Sequence, residues 1–178
     1  MNYRKWCLVF ILLNIFVGFY KAKANDNFSA SDGAVNLKEM SKAAVFVHRA
    51  HLISKTLFVT CADVSDVAMT ASKKAKDGFY DRNKKYLKFS DFFIKVMASN
   101  AEKKYGKKES DSFVDKYYTS LVTQSYTTIN QHFKNTTNKE GDCLKISSEF
   151  ERGEFDIESE KVVIDTIKYW AKKFGYKI

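Results

Sequence analysis

The sequence contains no proline and only seven glycines among its 178 residues. Proline breaks a helix and glycine weakens one, so a chain this poor in both is free to be mostly helical. Turn-rich β architectures, which need those residues at their corners, are disfavoured by the same shortage. Cysteine is scarce too, with three in all, and there is no C-x-x-C pair of the kind that makes a redox-active thiol. Histidine also numbers three, and none sits in an H-E-x-x-H or a Cys/His cluster. The chain has no glycine-rich phosphate loop and no G-x-S-x-G nucleophile turn. These absences remove the common catalytic and cofactor signatures. The expected protein is non-enzymatic, with no cofactor and no metal.

What is present begins with an apolar leader. Arg4 and Lys5 precede the run Trp6–Tyr20, which only Asn14 and Gly18 interrupt, and Lys21-Ala22-Lys23-Ala24 offers small residues for a cut after Ala24. Residues 1–24 therefore read as a secretory signal peptide. The alternative is an uncleaved membrane anchor, for which a run of about 15 residues is short of the ~20 that span a bilayer. The expected location is exported, either periplasmic or extracellular. Loss of the leader removes Cys7 and leaves Cys61 and Cys143, which in an exported chain form one disulfide.

The leader also holds Arg4, Lys5, Lys21 and Lys23, so its loss lowers the formal charge from +9 to +5. With 45% hydrophobic and 29% charged residues the remainder has a globular composition and the length of one domain. The predicted layout is a leader over 1–24, a flexible polar stretch over 25–35 and a helical domain over 36–178. That domain is expected to be an all-α bundle of about five helices.

Ala43–Cys61 is its centre. On a helix, Ala43, Phe46, Val47, Ala50, Ile53, Leu57, Phe58 and Cys61 fill one broad face, and Val45, Leu52 and Val59 add apolar groups opposite. A helix apolar on more than one face belongs inside a bundle. Asn36 and Glu39 have capping-box spacing at its start. A second helix after Cys61 carries Val64, Val67, Ala68 and Ala71 and is predicted to stop at Gly78. The stretch GFYDRNKKYLKF lacks clean helical spacing and is predicted to link two helices.

Ser90 then opens a helix bearing Phe93, Ile94, Met97, Ala101 and Tyr105, ended by Gly106. Ser110 or Ser112 begins a longer one through Val114, Tyr117, Tyr118, Leu121, Val122, Ile129 and Phe133; its Thr- and Tyr-rich stretch allows a strand by local propensity, but spacing and length favour helix. Residues 134–142 are predicted to be a polar loop, and 144–155 to hold a short helix. Asp156 is the expected cap of a last helix with Ile157, Val163, Ile164, Ile167, Trp170, Ala171 and Phe174 on one stripe, Glu158 and Glu160 in its first turn and Gly175 after it.

His48 and His51 are three apart on the central helix, and His132 projects from the apolar arc of another. The wheel sets His48 opposite the centre of the main apolar arc. Surface imidazoles and one partly buried histidine are expected. Glu149, Glu151, Glu154 and Asp156 cluster near a helix boundary, where a solvated face and a cap are the ordinary reading.

The strongest surface signal is the run 73–88. Lys73, Lys74, Lys76, Arg82, Lys84, Lys85 and Lys88 face only Asp77 and Asp81, a net of +5 that equals the whole excess after the leader. Phe79, Tyr80 and Tyr86 interleave with them. Cations among aromatics suit an anionic surface, here a protein or an anionic envelope surface rather than nucleic acid. The expected site is therefore Lys73, Lys74, Lys76, Phe79, Tyr80, Arg82, Lys84, Lys85, Tyr86 and Lys88.

The expected function is binding to a macromolecular partner, as an inhibitor or immunity-type protein does. Two other classes remain open: a carrier with an apolar pocket lined by Phe93, Tyr117, Tyr118 and Trp170, or a membrane-tethered envelope component if residues 1–24 are retained. Two Asn-x-Ser/Thr sequons, Asn27-Phe28-Ser29 and Asn135-Thr136-Thr137, fall in expected loops; they matter only in a source that glycosylates exported proteins and are accidental in a bacterium.

Overall fold

The computed structural model describes residues 33–178, with side chains from residue 37 onward. The expected signal peptide and most of the polar stretch after it lie outside the described residues. Those described form five α-helices and no strand: α1 (Gly33–Ala62), α2 (Asp66–Tyr105), α3 (Lys107–Lys134), α4 (Lys139–Glu151) and α5 (Lys161–Lys173). A 3-10 turn, Ile157–Ser159, precedes α5. The all-α class and the total of about five helices agree with the sequence, although the six segments marked out there become five because two of them are one helix.

Helix α1 begins at Gly33, ahead of the expected cap at Asn36. It buries Met40, Ala43, Ala44, Val47, Leu57 and Cys61, as its apolar pattern requires. Ser65 then caps α2. Its backbone is extended and its Oγ accepts from the Ala68 amide at 3.1 Å, while Asp66 adds a negative charge to the first turn.

Helix α2 runs without a break for 40 residues, about 60 Å at 1.5 Å per residue. This corrects the two-helix reading: Gly78 is interior and the predicted linker is helical. The physical reason lies in two polar residues. Ser72, Phe79, Tyr86 and Phe93 recur every seven residues, and Ala68, Ala75, Asn83 and Ser90 fill the same buried stripe. Counting Asn83 and Ser90 as surface residues hides the period.

Asn83 is fully buried because every polar group it carries has a partner. Its Nδ2 donates to the Phe79 carbonyl (2.8 Å) and to Asp156 Oδ1 (3.0 Å), and its Oδ1 accepts from the Ile157 amide (2.9 Å). A buried amide satisfied in this way avoids the penalty of an unmade bond. Two of these bonds, to Asp156 and from Ile157, clamp the α4–α5 connection to the middle of α2, while the third stays within the helix.

Gly106, at φ 96°, ends α2 with its amide on the Glu102 carbonyl (2.9 Å), and α3 begins at the next residue. The start at Lys107 is earlier than the expected Ser110. Ser110 instead faces back, its Oγ donating to the Ala98 carbonyl at 2.8 Å. With Tyr118 on Asp91, this makes α2 and α3 an antiparallel hairpin.

Asn138 caps α4 by accepting from the Gly141 amide (2.9 Å), so the helix begins inside the predicted polar loop. Helix α4 packs along α2, with Phe79 and Phe150 edge to face at 5.6 Å. Cys143 near its start is bonded to Cys61 at the end of α1, with Cα atoms 5.8 Å apart. The expected disulfide is present.

Asp156 does not cap the last helix. It precedes the 3-10 turn, and its carboxylate is held by Arg82 and Asn83. Glu158 and Glu160 likewise precede α5 rather than lying in its first turn. Helix α5 buries Ile164, Ile167, Trp170 and Ala171 as one stripe, with Trp170 against Phe93. Gly175, at φ 65°, closes it. The Tyr176 amide reaches back to the Ala171 carbonyl (2.8 Å), and the Tyr176 ring packs on Phe89 and Phe92.

Candidate functional site

The basic run 73–88 lies wholly on α2, so the helix sorts its residues by direction. Phe79 and Tyr86 face the core and are fully buried, whereas Tyr80 is 42% exposed. Several of the cations are engaged by carboxylates of the chain itself. Arg82 Nε lies 2.6 Å from Asp156 Oδ2 and its Nη2 3.1 Å from Asp156 Oδ1, a two-point grip. Lys74 meets Glu151 at 2.6 Å, Lys85 meets Glu158 at 2.9 Å, and Lys73 meets Asp77 at 2.9 Å. Lys76 approaches Asp77 at 3.2 Å and sits over the Phe58 ring.

The hydrogen bond with Lys85 holds the Glu158 carboxyl below the ordinary range, and Glu158 in turn raises Lys85. Burial raises the Tyr86 phenol, which donates to the same carboxylate at 2.8 Å. The contacts with Glu151, Asp156 and Glu158 join α2 to α4 and to the α4–α5 connection, whereas those with Asp77 stay within α2. Lys84, with Asp81 at 3.5 Å, and Lys88 remain on the solvent face with Tyr80 near them along the helix. The exposed part of the predicted site is thus Tyr80 with Lys73, Lys74, Arg82, Lys84, Lys85 and Lys88, of which Lys73, Lys74, Arg82, Lys84 and Lys85 are each paired with a carboxylate of the chain.

The acidic cluster is divided in the same way. Glu151 pairs with Lys74, Glu154 with Arg152 at 2.7 Å, and Asp156 with Arg82. These carboxylates serve ion pairs between and beside helix ends. Among the described residues no group of three or more His, Cys, Asp and Glu is placed to hold a metal ion.

A second polar centre lies between α1, α2 and α3. His48 is 5% exposed, although the helical wheel sets it away from the main apolar arc. Its Nε2 lies 2.9 Å from Asp91 Oδ1 and its Nδ1 2.7 Å from the Tyr117 hydroxyl. Since the carboxylate only accepts, Nε2 carries the proton, and in the neutral ring Nδ1 accepts from Tyr117. Tyr118 donates to the same Asp91 oxygen at 3.3 Å. Burial lowers the His48 pKa and Asp91 pulls against it. Burial and Asp91 push the Tyr118 phenol up to about 12.

His51, one turn on, has a buried Nδ1 with no hydrogen-bond partner and rests 5.6 Å from the Tyr80 ring. Burial, Lys55 and His48 bring its pKa down to about 4. His132, on the apolar arc of its helix, is exposed, with Asp142 3.9 Å away. The buried histidine is therefore the one the wheel sets outside the apolar arc. The polar partners that draw it inward, Asp91 and Tyr117, are 43 and 69 residues away in sequence. Local spacing carries no signal of them.

The four aromatics expected to line a carrier pocket fall into two groups. Phe93 is buried against Trp170, 6.4 Å between ring centres, whereas Tyr117 and Tyr118 surround His48. The surface does carry grooves. One lies between the end of α1 (Val59, Thr60, Asp63) and the last turns of α3 (Tyr126, Asn130, Lys134), and another between α2 and α3 beside Glu102 and Asp111.

Comparison with protein-family models, curated proteins and solved structures gives no match to this chain.

Proposed function

We propose that the protein is an exported, non-enzymatic helical binding protein that occupies the surface of a macromolecular partner, as an inhibitor or immunity protein does. The observation that supports this reading is the outer face of α2, where Lys84 and Lys88 stand in solvent beside Tyr80, whose ring is half exposed and leans on His51, on a helix clamped from behind. Asn83, Arg82 and Lys85 fix that segment to the rest of the domain through Asp156, Glu158 and Ile157. A rigid face loses little conformational freedom on binding, which favours affinity. Aromatic and cationic side chains together suit an acidic patch on a protein or an anionic envelope surface. The disulfide agrees with export, and among the described residues no helix is long and apolar enough to cross a membrane.

The test is capture from the native source, with the chain from Asn25 onward as bait beside a Tyr80→Ala, Lys84→Glu, Lys88→Glu variant. Lys85 is left intact so that its pair with Glu158, and with it the fold, survives. One partner captured in stoichiometric amount by the native bait and lost by the variant is the expected result. Equal capture by both baits would move the binding face off α2, and capture by neither would end the inhibitor reading.

A further inference from the structure

We infer that Asn135 is the acceptor of an N-linked glycan. Transfer to asparagine needs a hydroxyl two residues on, a residue other than proline between, and a side-chain amide that an enzyme can reach. Asn135-Thr136-Thr137 meets the first two conditions, and among the described residues no other Asn-x-Ser/Thr occurs. The fold meets the third. Asn135 is the residue on which α3 stops, with φ −110° and ψ 8°, and 135–138 form the non-helical connection to α4. Lys134, Asn135, Thr137, Asn138, Lys139 and Glu140 are all exposed, so a bulky sugar displaces no packed group.

The hydrogen bonds of the connection leave the acceptor alone. The Asn138 amide donates to Thr136 Oγ1 at 3.3 Å, and the Asn138 side chain caps α4. The contrast with Asn83, buried with three bonds to its amide group, shows what an inaccessible asparagine looks like in this fold.

A second observation agrees with the setting. The disulfide between Cys61 and Cys143, eight residues beyond Asn135, is of the kind that forms in oxidising compartments, among them the lumen in which such transfer takes place. The co-substrate is a polyprenyl-diphosphate-linked oligosaccharide presented by a membrane-bound transferase. The Asn135 side-chain nitrogen attacks C1 of the first sugar, forming the C–N bond. The C1–O bond to phosphate breaks, the diphosphate leaves with its electron pair, and a base on the transferase takes the amide proton. The reaction is a group transfer without oxidation or reduction.

The sugar would stand at the pole of the domain where α1 ends, α3 ends and α4 begins. It would overhang the groove that contains Val59, Tyr126 and Lys134. The outer face of α2 around Lys84 is a separate surface.

The experiment is site-resolved mass spectrometry on the chain purified from its native source, before and after peptide-N-glycosidase treatment in heavy-oxygen water. The peptide spanning Asn135 is expected to carry a hexosamine-rich mass. Enzymatic release should leave an isotopically labelled aspartate at that position. Expressed in the same source, Thr137→Ala should migrate faster by one glycan, and Thr137→Ser should restore the native mobility. Recovery of the peptide with unmodified Asn135 in the native protein overturns the inference, as does a Thr137→Ala chain of unchanged mass. Modification at Asn27 is read on a different peptide and does not enter the result.

Discussion

The two histidines of α1 are held neutral for different reasons, and this gives the domain a predictable response to acid. His48 has a partner on each ring nitrogen, whereas His51 has a buried Nδ1 without one and lies near the cations Lys55 and Lys76. An unfolded histidine takes up a proton near pH 6.5. Folded His51 resists it down to about 4, and folded His48 is displaced in the same direction. Between those limits the unfolded chain binds more protons than the folded one, so stability falls as pH falls. Replacing His51 with Gln removes one of the two titrations. Urea unfolding at pH 7.5 and at pH 4.5 should show the native protein losing more stability across the interval than His51→Gln. Parallel losses would mean that His51 has ordinary access to water in the folded state. Asp77 and Glu158, whose pKa values are lowered by lysines, begin to act at the acid end of that window and do so in both proteins alike.

At the scale of elements, α2 is the member whose sequence was hardest to read. The stripe of α5 can be followed directly, because its buried positions are all apolar; α1 buries His48, Ser54 and Thr56 as well, but its apolar residues fill so broad a face that the helix is read regardless. On α2 the stripe passes through Ser72, Asn83 and Ser90, and a glycine interrupts it at 78. Ser72 turns its hydroxyl to the Met69 carbonyl of its own helix, and Asn83 is satisfied by Phe79 and by Asp156 and Ile157, the last two more than seventy residues away and invisible in a sequence window. The basic-aromatic run was visible as composition, but its division into buried Phe79 and Tyr86 and exposed Tyr80 follows only once helix is assigned to the whole run. The pairing of Arg82 with Asp156, 74 residues away, was not legible at all.

Two glycines test the same assignment from opposite directions. Gly78 is inside α2, and a Cβ there would meet Arg82 Nη1 at 3.1 Å, the guanidinium nitrogen that takes no part in the grip on Asp156. Gly78→Ala should stabilise the domain by up to about 1 kcal/mol through helix propensity. Gly153 has φ +75°, and a Cβ there would lie 2.8 Å from Asp156 Oδ2. Gly153→Ala should therefore destabilise, by roughly 1–3 kcal/mol of backbone strain and disturbed pairing. The two shifts in melting temperature are expected to have opposite signs. A loss at Gly78 comparable to that at Gly153 would mean that the new Cβ moves the planar Arg82 guanidinium and loosens its grip on Asp156.

For the whole molecule, the disulfide does what no pair of helices does alone. Helices α2 and α3 form a hairpin with almost no connecting chain, and α4 and α5 are clamped to α2 by Asn83, Arg82 and Lys85. These are contacts among consecutive elements or with the one long helix. Helix α1 is held against the others by its apolar stripe, by the bonds from His48 to Asp91 and Tyr117, and by Cys61 on Cys143. The bridge spans 82 positions of sequence, and closing a loop of that size in the unfolded chain is worth about 4–5 kcal/mol in the chain-entropy model. Domains of this size are stable by only about 5–15 kcal/mol, so the bridge supplies a large share. A Cys61→Ala, Cys143→Ala double variant should keep its helical far-ultraviolet spectrum at low temperature while its urea midpoint falls steeply. The native protein in reductant should match it. The grip of Arg82 on Asp156 and the outer face of α2 do not involve the bridge, so partner capture in the cold should persist in both. Unchanged midpoints in the variant would mean that packing alone fixes α1. Loss of helical signal at low temperature would mean instead that the other four helices depend on α1 being tied in place.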